Sequence, residues 1–315
     1  MMKISVIIPV YNAAAFLRKA VESALQFDEV AEVILVEDAS KDHSLHICKE
    51  LSQENGRVIL FQHSDKGNHG AAETRNLGIK NAKSEFIAFL DSDDYYLPNR
   101  FDAEKTIFKN ENIEGVFGAL GTEFITDKGK AEFQEKFKDN ELTTVNYYAE
   151  GKDVFEGLLG LSTKTFGSFF HLNALTVKRS SILEKKLFFN KDLRVHQDSD
   201  FITKLSYHCH LQTGIIDKAI AIRGVHDDNR ITKIKQYSPK FYANQFQLQN
   251  SLYQWATAND LDKKFIQKIK LDYLSFKTAN KKGISKYFFY IISAVRNPQL
   301  LKTRYRFHAL NPQKQ

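Results

Sequence analysis

The stretch Phe86-Ile87-Ala88-Phe89-Leu90-Asp91-Ser92-Asp93-Asp94 decides how the rest of the chain is read. Five apolar residues in a row are too few for a helix, and polar residues bound them. They predict a strand buried on both faces, in the middle of a mostly parallel sheet flanked by helices. The strand runs directly into three carboxylates within four positions. Crowded carboxylates repel one another unless a cation or a ring of donors holds them. Capping the helix expected near Pro98 would occupy only one of the three. Ligands of open parallel sheets bind beyond the carboxyl ends of the strands, where these acids sit. Oxygen ligands suit Mg2+ or Mn2+, ions that usually bridge to substrate phosphates. The stretch therefore points to a metal–diphosphate site.

Upstream, the same pattern of apolar strand and polar end recurs. Ser5-Val6-Ile7-Ile8-Pro9-Val10-Tyr11-Asn12 predicts a first strand, followed by Phe16, Leu17, Ala20, Val21, Ala24 and Leu25 at helical spacing. Val33–Val36 predicts a second strand that ends in Glu37-Asp38-Ala39-Ser40-Lys41-Asp42, with a helix over about 44–54 after it. Val58–Phe61 is a third, leading through Lys66-Gly67-Asn68-His69-Gly70 into a helix that carries Arg75 and Asn76. Strand and helix alternate over short links, the pattern of an α/β nucleotide-binding layer. Neither G-x-G-x-x-G after the first strand nor a P-loop motif is present. Phosphate must then be held by metal on the acids and by a cation such as Arg75.

Four of these segments together carry a resemblance. Residues 5–12, Val-Glu-Asp-Ala-Ser-Lys-Asp (36–42), Gly-Ala-Ala-Glu-Thr-Arg-Asn-Leu-Gly (70–78) and Leu-Asp-Ser-Asp-Asp (90–94) resemble the successive motifs of family-2 glycosyltransferases with the GT-A fold. They stand in family order over the first third of the chain. The resemblance implies a sugar-nucleotide donor, most often UDP-linked. Pro9 and Tyr11 would border the base, Asp38 would meet the uracil edge, and Arg75 would lie near the base or diphosphate. Asp91, with Ser92, would contact the ribose, and Asp93 the metal, Mn2+ or Mg2+.

Downstream, a helix is expected after Pro98 with Phe101, Ile107 and Phe108 inward, then one extended strand over Val116–Thr126 turned by 127–130. Residues 131–151 lack a clear period and read as a variable loop or helix on the acceptor side. Thr165–Val177 reads as a strand with His171 and Asn173 as polar interruptions, His171 being a core or rim histidine. His196-Gln197-Asp198-Ser199-Asp200 precedes an amphipathic helix, and on residues alone its acids cap that helix and favour its dipole. The resemblance implies more, since a Glu-Asp pair stands here in the family and its Asp is the catalytic base. Asp198 takes that place, while Gln197 replaces the Glu and removes a like charge from its neighbour. Arg223 and His226 match an Arg-x-x-His of the family, whose His reaches metal or diphosphate; a surface histidine beside Asp227 and Asp228 has the same appearance. His208-Cys209-His210 lacks the further ligands of a metal site.

The chain has 315 residues, 43% hydrophobic and 26% charged, ordinary for a globular protein. Two cysteines imply a reducing compartment, and no apolar run approaches the ~20 residues of a membrane-spanning helix. With a strand entered at once and no charged leader, a cytoplasmic location is expected. The net charge of +7 is uneven: from Tyr273 onward there are nine basic residues and no acidic one. Nine exceeds the net charge, so the remainder is slightly acidic. Helices are expected at about 237–258, 262–280 and 284–296, and Phe288–Val295 is almost unbroken apolar. Basic residues around it suggest peripheral docking on an anionic membrane leaflet; no nucleic-acid motif is present.

The expected organisation is a nucleotide-binding half (1–97), an acceptor and catalytic half (98–236), and a basic helical extension (237–315). The expected activity is inverting transfer of one sugar to a hydroxyl of a cell-surface glycan or lipid-linked acceptor. The processive Gln-x-x-Arg-Trp motif is absent, the sole tryptophan being Trp255. A nucleotidyltransferase-like enzyme and a non-catalytic sugar-nucleotide or glycan-binding relative, the latter suggested by Gln197, stand as alternatives.

Overall fold

The computed structural model describes residues 2–137, 142–167, 169–227, 234–235 and 237–303. The chain divides into two compact units, Met1–Asp227 and Asp228–Gln315.

In the first unit, β1 (Ile4–Val10), α1 (Leu17–Leu25), β2 (Val30–Glu37), α2 (Ser44–Glu54), β3 (Val58–Gln62), α3 (Ala71–Asn81) and β4 (Phe86–Phe89) alternate as the apolar periods dictate. Then follow β5 (Tyr95–Tyr96), α4 (Glu104–Ile107), β6 (Gly115–Phe117), β7 (Ala119–Phe124), α5 (Asp127–Phe137), β8 (Leu142–Thr143) and α6 (Lys152–Leu158). The unit closes with β9 (Leu175–Lys178), α7 (Arg179–Glu184), α8 (Gln197–His208), β10 (Leu211–Thr213) and β11 (Ala219–Val225).

A seven-stranded sheet runs β10-β6-β9-β4-β1-β2-β3, and β4 is its middle strand. It pairs parallel with β1 and antiparallel with β9. Along β4 the side chains alternate between two cores: Ile87 and Phe89 face one, while Phe86, Ala88 and Leu90 face the other. That is the two-sided burial expected of an apolar run with no polar alternation. β9 is the one strand that runs against the rest. Its amino end therefore lies at the edge where the other strands end. A second sheet, β5-β11-β7-β8, stands beside the first.

Several expectations from sequence change here. Residues 116–126 form two strands, because the chain leaves the large sheet at Gly118 and continues as β7 in the small one. The expected turn at 127–130 is the first turn of α5. Only the last part of 165–177 is strand. A 3-10 turn at Leu172–Ala174 precedes β9, held by the Asn173 amide donating to His171 Nδ1 at 3.3 Å. After Pro98 the helix is a single turn, α4, with Phe101 fully buried ahead of it.

The second unit contains α9 (Pro239–Ala258), α10 (Lys263–Ala279) and α11 (Ile284–Arg296). Tyr242, Phe276 and Ala279 form its small core, and Asn280 Nδ2 donates to Tyr242 O at 2.8 Å. Arg304, Arg306 and Lys314 of the basic tail lie outside the described residues.

Candidate active site

Polar residues gather beyond the carboxyl ends of β1, β2 and β4. At β2 the chain turns through Glu37 and Asp38. The Asp38 carboxylate is buried and accepts from the amides of His69 at 2.7 Å and Gly70 at 2.8 Å, and from Asn68 Nδ2 at 2.9 Å. Asp38 thus builds the glycine loop that starts α3, with His63 Nε2 3.6 Å away. Pro9 sits within β1, paired with Val36, and Tyr11 stands exposed at the rim just after it. Arg194 lays its guanidinium on this loop: a Cβ at Gly70 would come within 2.6 Å of Nη1.

α3 lies close on the sheet because Gly78 lacks a side chain; a Cβ there would meet Ile7 Cγ2 at 2.5 Å. That approach lowers Arg75, one turn earlier, onto the end of β4, where Nη2 donates to Asp91 Oδ1 at 2.5 Å. Arg75 Nε is buried without a protein partner, a donor left for a ligand. Burial raises the Asp91 carboxyl, but Arg75 and His171 more than offset it and hold the group below its ordinary range.

Asp94 has the opposite balance. It is buried and receives Asn173 Nδ2 on one oxygen and the Gly224 amide at 2.9 Å on the other. Burial and then the charges of Asp93 and Asp91 push it well above its usual value, against Arg223. Three acids so close are what a divalent cation relieves. Gly224 is required for this approach, since a Cβ would fall 2.6 Å from Asp93 O.

Asp93 is more open and faces His226, with Nε2 3.2 Å from Oδ2. The two residues expected to share the metal are therefore side by side. Among the described residues, however, the trio whose donor atoms all lie within 4.8 Å of one another is Asp91, Asp94 and His171. His171 comes from the antiparallel β9 side and reaches to 4.0 Å of Asp91 Oδ2. Its Nδ1 already accepts from the Asn173 amide, so the neutral ring carries its proton on Nε2, toward Asp91. Ligation through Nε2 would need the other tautomer, which makes the carboxylates the primary ligands. The oxygen-rich donor set fits Mg2+ or Mn2+.

Asn173, which the sequence showed only as a polar interruption, organises the cluster. Its Oδ1 accepts from the Asp91 amide at 3.1 Å while Nδ2 serves Asp94. Its own carbonyl takes Arg100 Nε at 2.8 Å, and Arg100 pairs with Glu104 at 2.6 Å, both fully buried. A buried asparagine in an apolar segment demands such partners, and that was the available signal. Ser92 is nearly buried between Asp91 and Asp93.

His196 adopts a left-handed backbone (φ 63°) and turns the chain into α8. Two acids follow in the first turn with different fates. Asp200 is fully buried and bonded to Lys204 at 2.6 Å. Asp198 is half-buried, and its charge is felt at His171, where it favours the protonated ring. The acid a hundred positions downstream is thus within electrostatic reach of His171. Gln197 Oε1, beside it, is buried without a partner.

A mostly parallel α/β sheet with acids and arginines gathered beyond its strand ends is the arrangement of the GT-A fold. The model for glycosyl transferase family 2 matches residues 5–164, and the chain belongs to that family. It is 28% identical over 190 residues to glycosyltransferase GlyG of Streptococcus pneumoniae, covering 59% of this chain and 58% of that protein. It is 34% identical over 170 residues to an uncharacterized glycosyltransferase of Rickettsia bellii, covering 53% of this chain and 24% of the relative. The chain thus spans between about a quarter and three fifths of these relatives. Among solved structures, S. aureus TarS 1–349 with UDP superposes with TM-score 0.63 at 17% identity, covering 98% of this chain and 87% of that one. A mannosyltransferase from Pyrobaculum calidifontis, bound to GDP-Man and Mn2+, gives 0.53 at 13% identity, with coverage of 98% and 85%. These two likenesses are of fold.

Proposed function

We propose that the chain transfers one sugar from a nucleotide sugar, UDP-linked, to an acceptor hydroxyl with inversion at the anomeric carbon. What supports this reading is the cluster of Asp91, Asp93, Asp94, Arg75, His171 and His226 beyond the strand ends, with the charge of Asp198 felt at His171. TarS has been captured with UDP and with UDP-GlcNAc, which supports a uridine donor. The acceptor class, a glycan or lipid-linked hydroxyl, is carried over from the family resemblance.

Pro9 and Tyr11 border the base in this reading, and Asp38 sets the loop against its edge. Arg75 offers its unused Nε to the diphosphate, with Arg223 adding a second positive charge beside Asp91 and Asp94. The acids at 91, 93 and 94, with His171 and His226 beside them, would hold the divalent cation. When bound, that cation supplies Lewis-acid stabilisation of negative charge on the leaving diphosphate. Asp198 accepts the acceptor hydroxyl's proton as its oxygen attacks the anomeric carbon from the face opposite the diphosphate. The carbon–phosphate-oxygen bond breaks, the nucleoside diphosphate leaves, and one displacement inverts the centre. No enzyme nucleophile is used.

The test is a panel of sugar nucleotides assayed for metal-dependent binding and transfer. Asp198→Asn should keep donor affinity within about twofold and lower transfer by roughly 10²–10⁴, the usual worth of a general base. Asp93→Ala should weaken metal-dependent donor binding itself. Full transfer by Asp198→Asn excludes the assigned base, and release of pyrophosphate rather than nucleoside diphosphate selects the nucleotidyltransferase alternative.

A further inference from the structure

α11 is built inside out. A helix on a soluble protein hides its apolar stripe and shows its polar one. Here the buried positions are Lys286 and Ser293. Ile284, Tyr287, Phe288, Ile291, Ile292 and Val295 recur at 3- and 4-residue spacing and form one face, each between 50% and 75% exposed. Contiguous exposed apolar faces of this kind mark a contact with a membrane or a partner. The apolar face of the helix therefore lies outside the packed interior. The burial of Lys286, which pulls its pKa down, takes that ammonium out of the outer charge.

Charge selects the occupant. Lys282 precedes the helix and Arg296 and Lys302 follow it, all exposed, and from Tyr273 onward no acidic residue occurs. Lys281 lies 4.9 Å over the Phe289 ring, its charge kept beside the helix. Two copies meeting through this face would set like charges against like, a costly arrangement in a self-complementary contact. An anionic lipid surface matches both the apolar stripe and the basic rim. The helix has 13 residues, about 20 Å at 1.5 Å each, short of a bilayer's ~30 Å core. Among the described residues no helix is long and apolar enough to cross a membrane.

We propose that α11 is an interfacial docking helix that lies in the plane of an anionic bilayer surface, with Ile284, Phe288, Ile291 and Val295 among the acyl chains and Lys282, Arg296 and Lys302 at the headgroups. Flotation of the full chain with phosphatidylcholine vesicles, with and without about a third phosphatidylglycerol, tests this. Anionic vesicles should bind at least tenfold more tightly than neutral ones, and raised salt should erode the difference. Lys282→Gln should weaken binding about fivefold, and Ile291→Glu with Val295→Glu should abolish it while leaving the melting temperature unchanged. Equal partitioning of wild type between the two lipids, or no binding to either, overturns the proposal without reliance on any variant. A dimer that the double substitution dissociates, with no vesicle binding, assigns the face to a second copy and overturns it as well. Vesicle binding is read without donor or acceptor, so its outcome is separable from that of the transfer assay.

Discussion

At the residue scale, the chemistry of the cluster follows from how each side chain is buried. Asp91 and Asp94 are three positions apart on one loop, yet one is held low by Arg75 and the other pushed high by burial and then by its acidic neighbours. His171 is displaced too. Burial, reinforced by Arg223 and opposed by Asp91 and Asp198, brings it down from 6.5 to about 4. Between those values the unfolded chain takes up a proton that the folded site refuses. Stability fully present above pH 6.5 is therefore lost as pH falls toward 4, roughly 2 kcal/mol of it by pH 5. Urea unfolding of EDTA-treated protein at pH 7 and 5 should register this loss, and His171→Gln should flatten it. Asp198 stood out in the sequence by its place before a helix. The structure adds a difference in burial: Asp200 is buried and paired with Lys204, while Asp198 stays partly exposed.

At the scale of elements, α3 and β9 position the site. α3 carries Arg75, and its depth on the sheet is set by Gly78 against Ile7. Gly78→Ala improves helix propensity by about 1 kcal/mol, but the added methyl forces the helix off the strand. Overpacking of this kind costs ~1–3 kcal/mol, so the net effect should be destabilising or near neutral. The clearer readout is donor affinity: lifting Arg75 from Asp91 should weaken it severalfold in calorimetry, with a lowered melting temperature alongside. β1 to β4 were legible because two-sided burial needs only a run of apolar residues. β9 was not. Its strand is four residues long, and its antiparallel course is a choice of partner that no local pattern carries. The same gap hid the break at Gly118, where one apolar run serves two sheets.

Over the whole molecule, two properties depend on the chain being folded. Cys48 and Cys209 are buried, and burial pushes both thiols up to about 12. A thiol reagent at pH 8 should leave the native protein unlabelled over minutes and modify both residues in denaturant. Mass spectrometry of the labelled protein checks this. The basic excess after Tyr273 belongs to the same scale: composition alone showed it, while the outward turn of α11 gave it an apolar face to act with.

The sequence by itself determined the alternating α/β layer, the central strand at 86–90 and the acids that end it. Apolar period and residue type are local properties and survive without a partner. Only the tertiary structure brought His171, Asn173 and Gly224 to those acids and exposed one face of α11. Those contacts join residues up to 130 positions apart, and the closing of such distances is settled by the packing of strands and helices rather than by any neighbour in the chain.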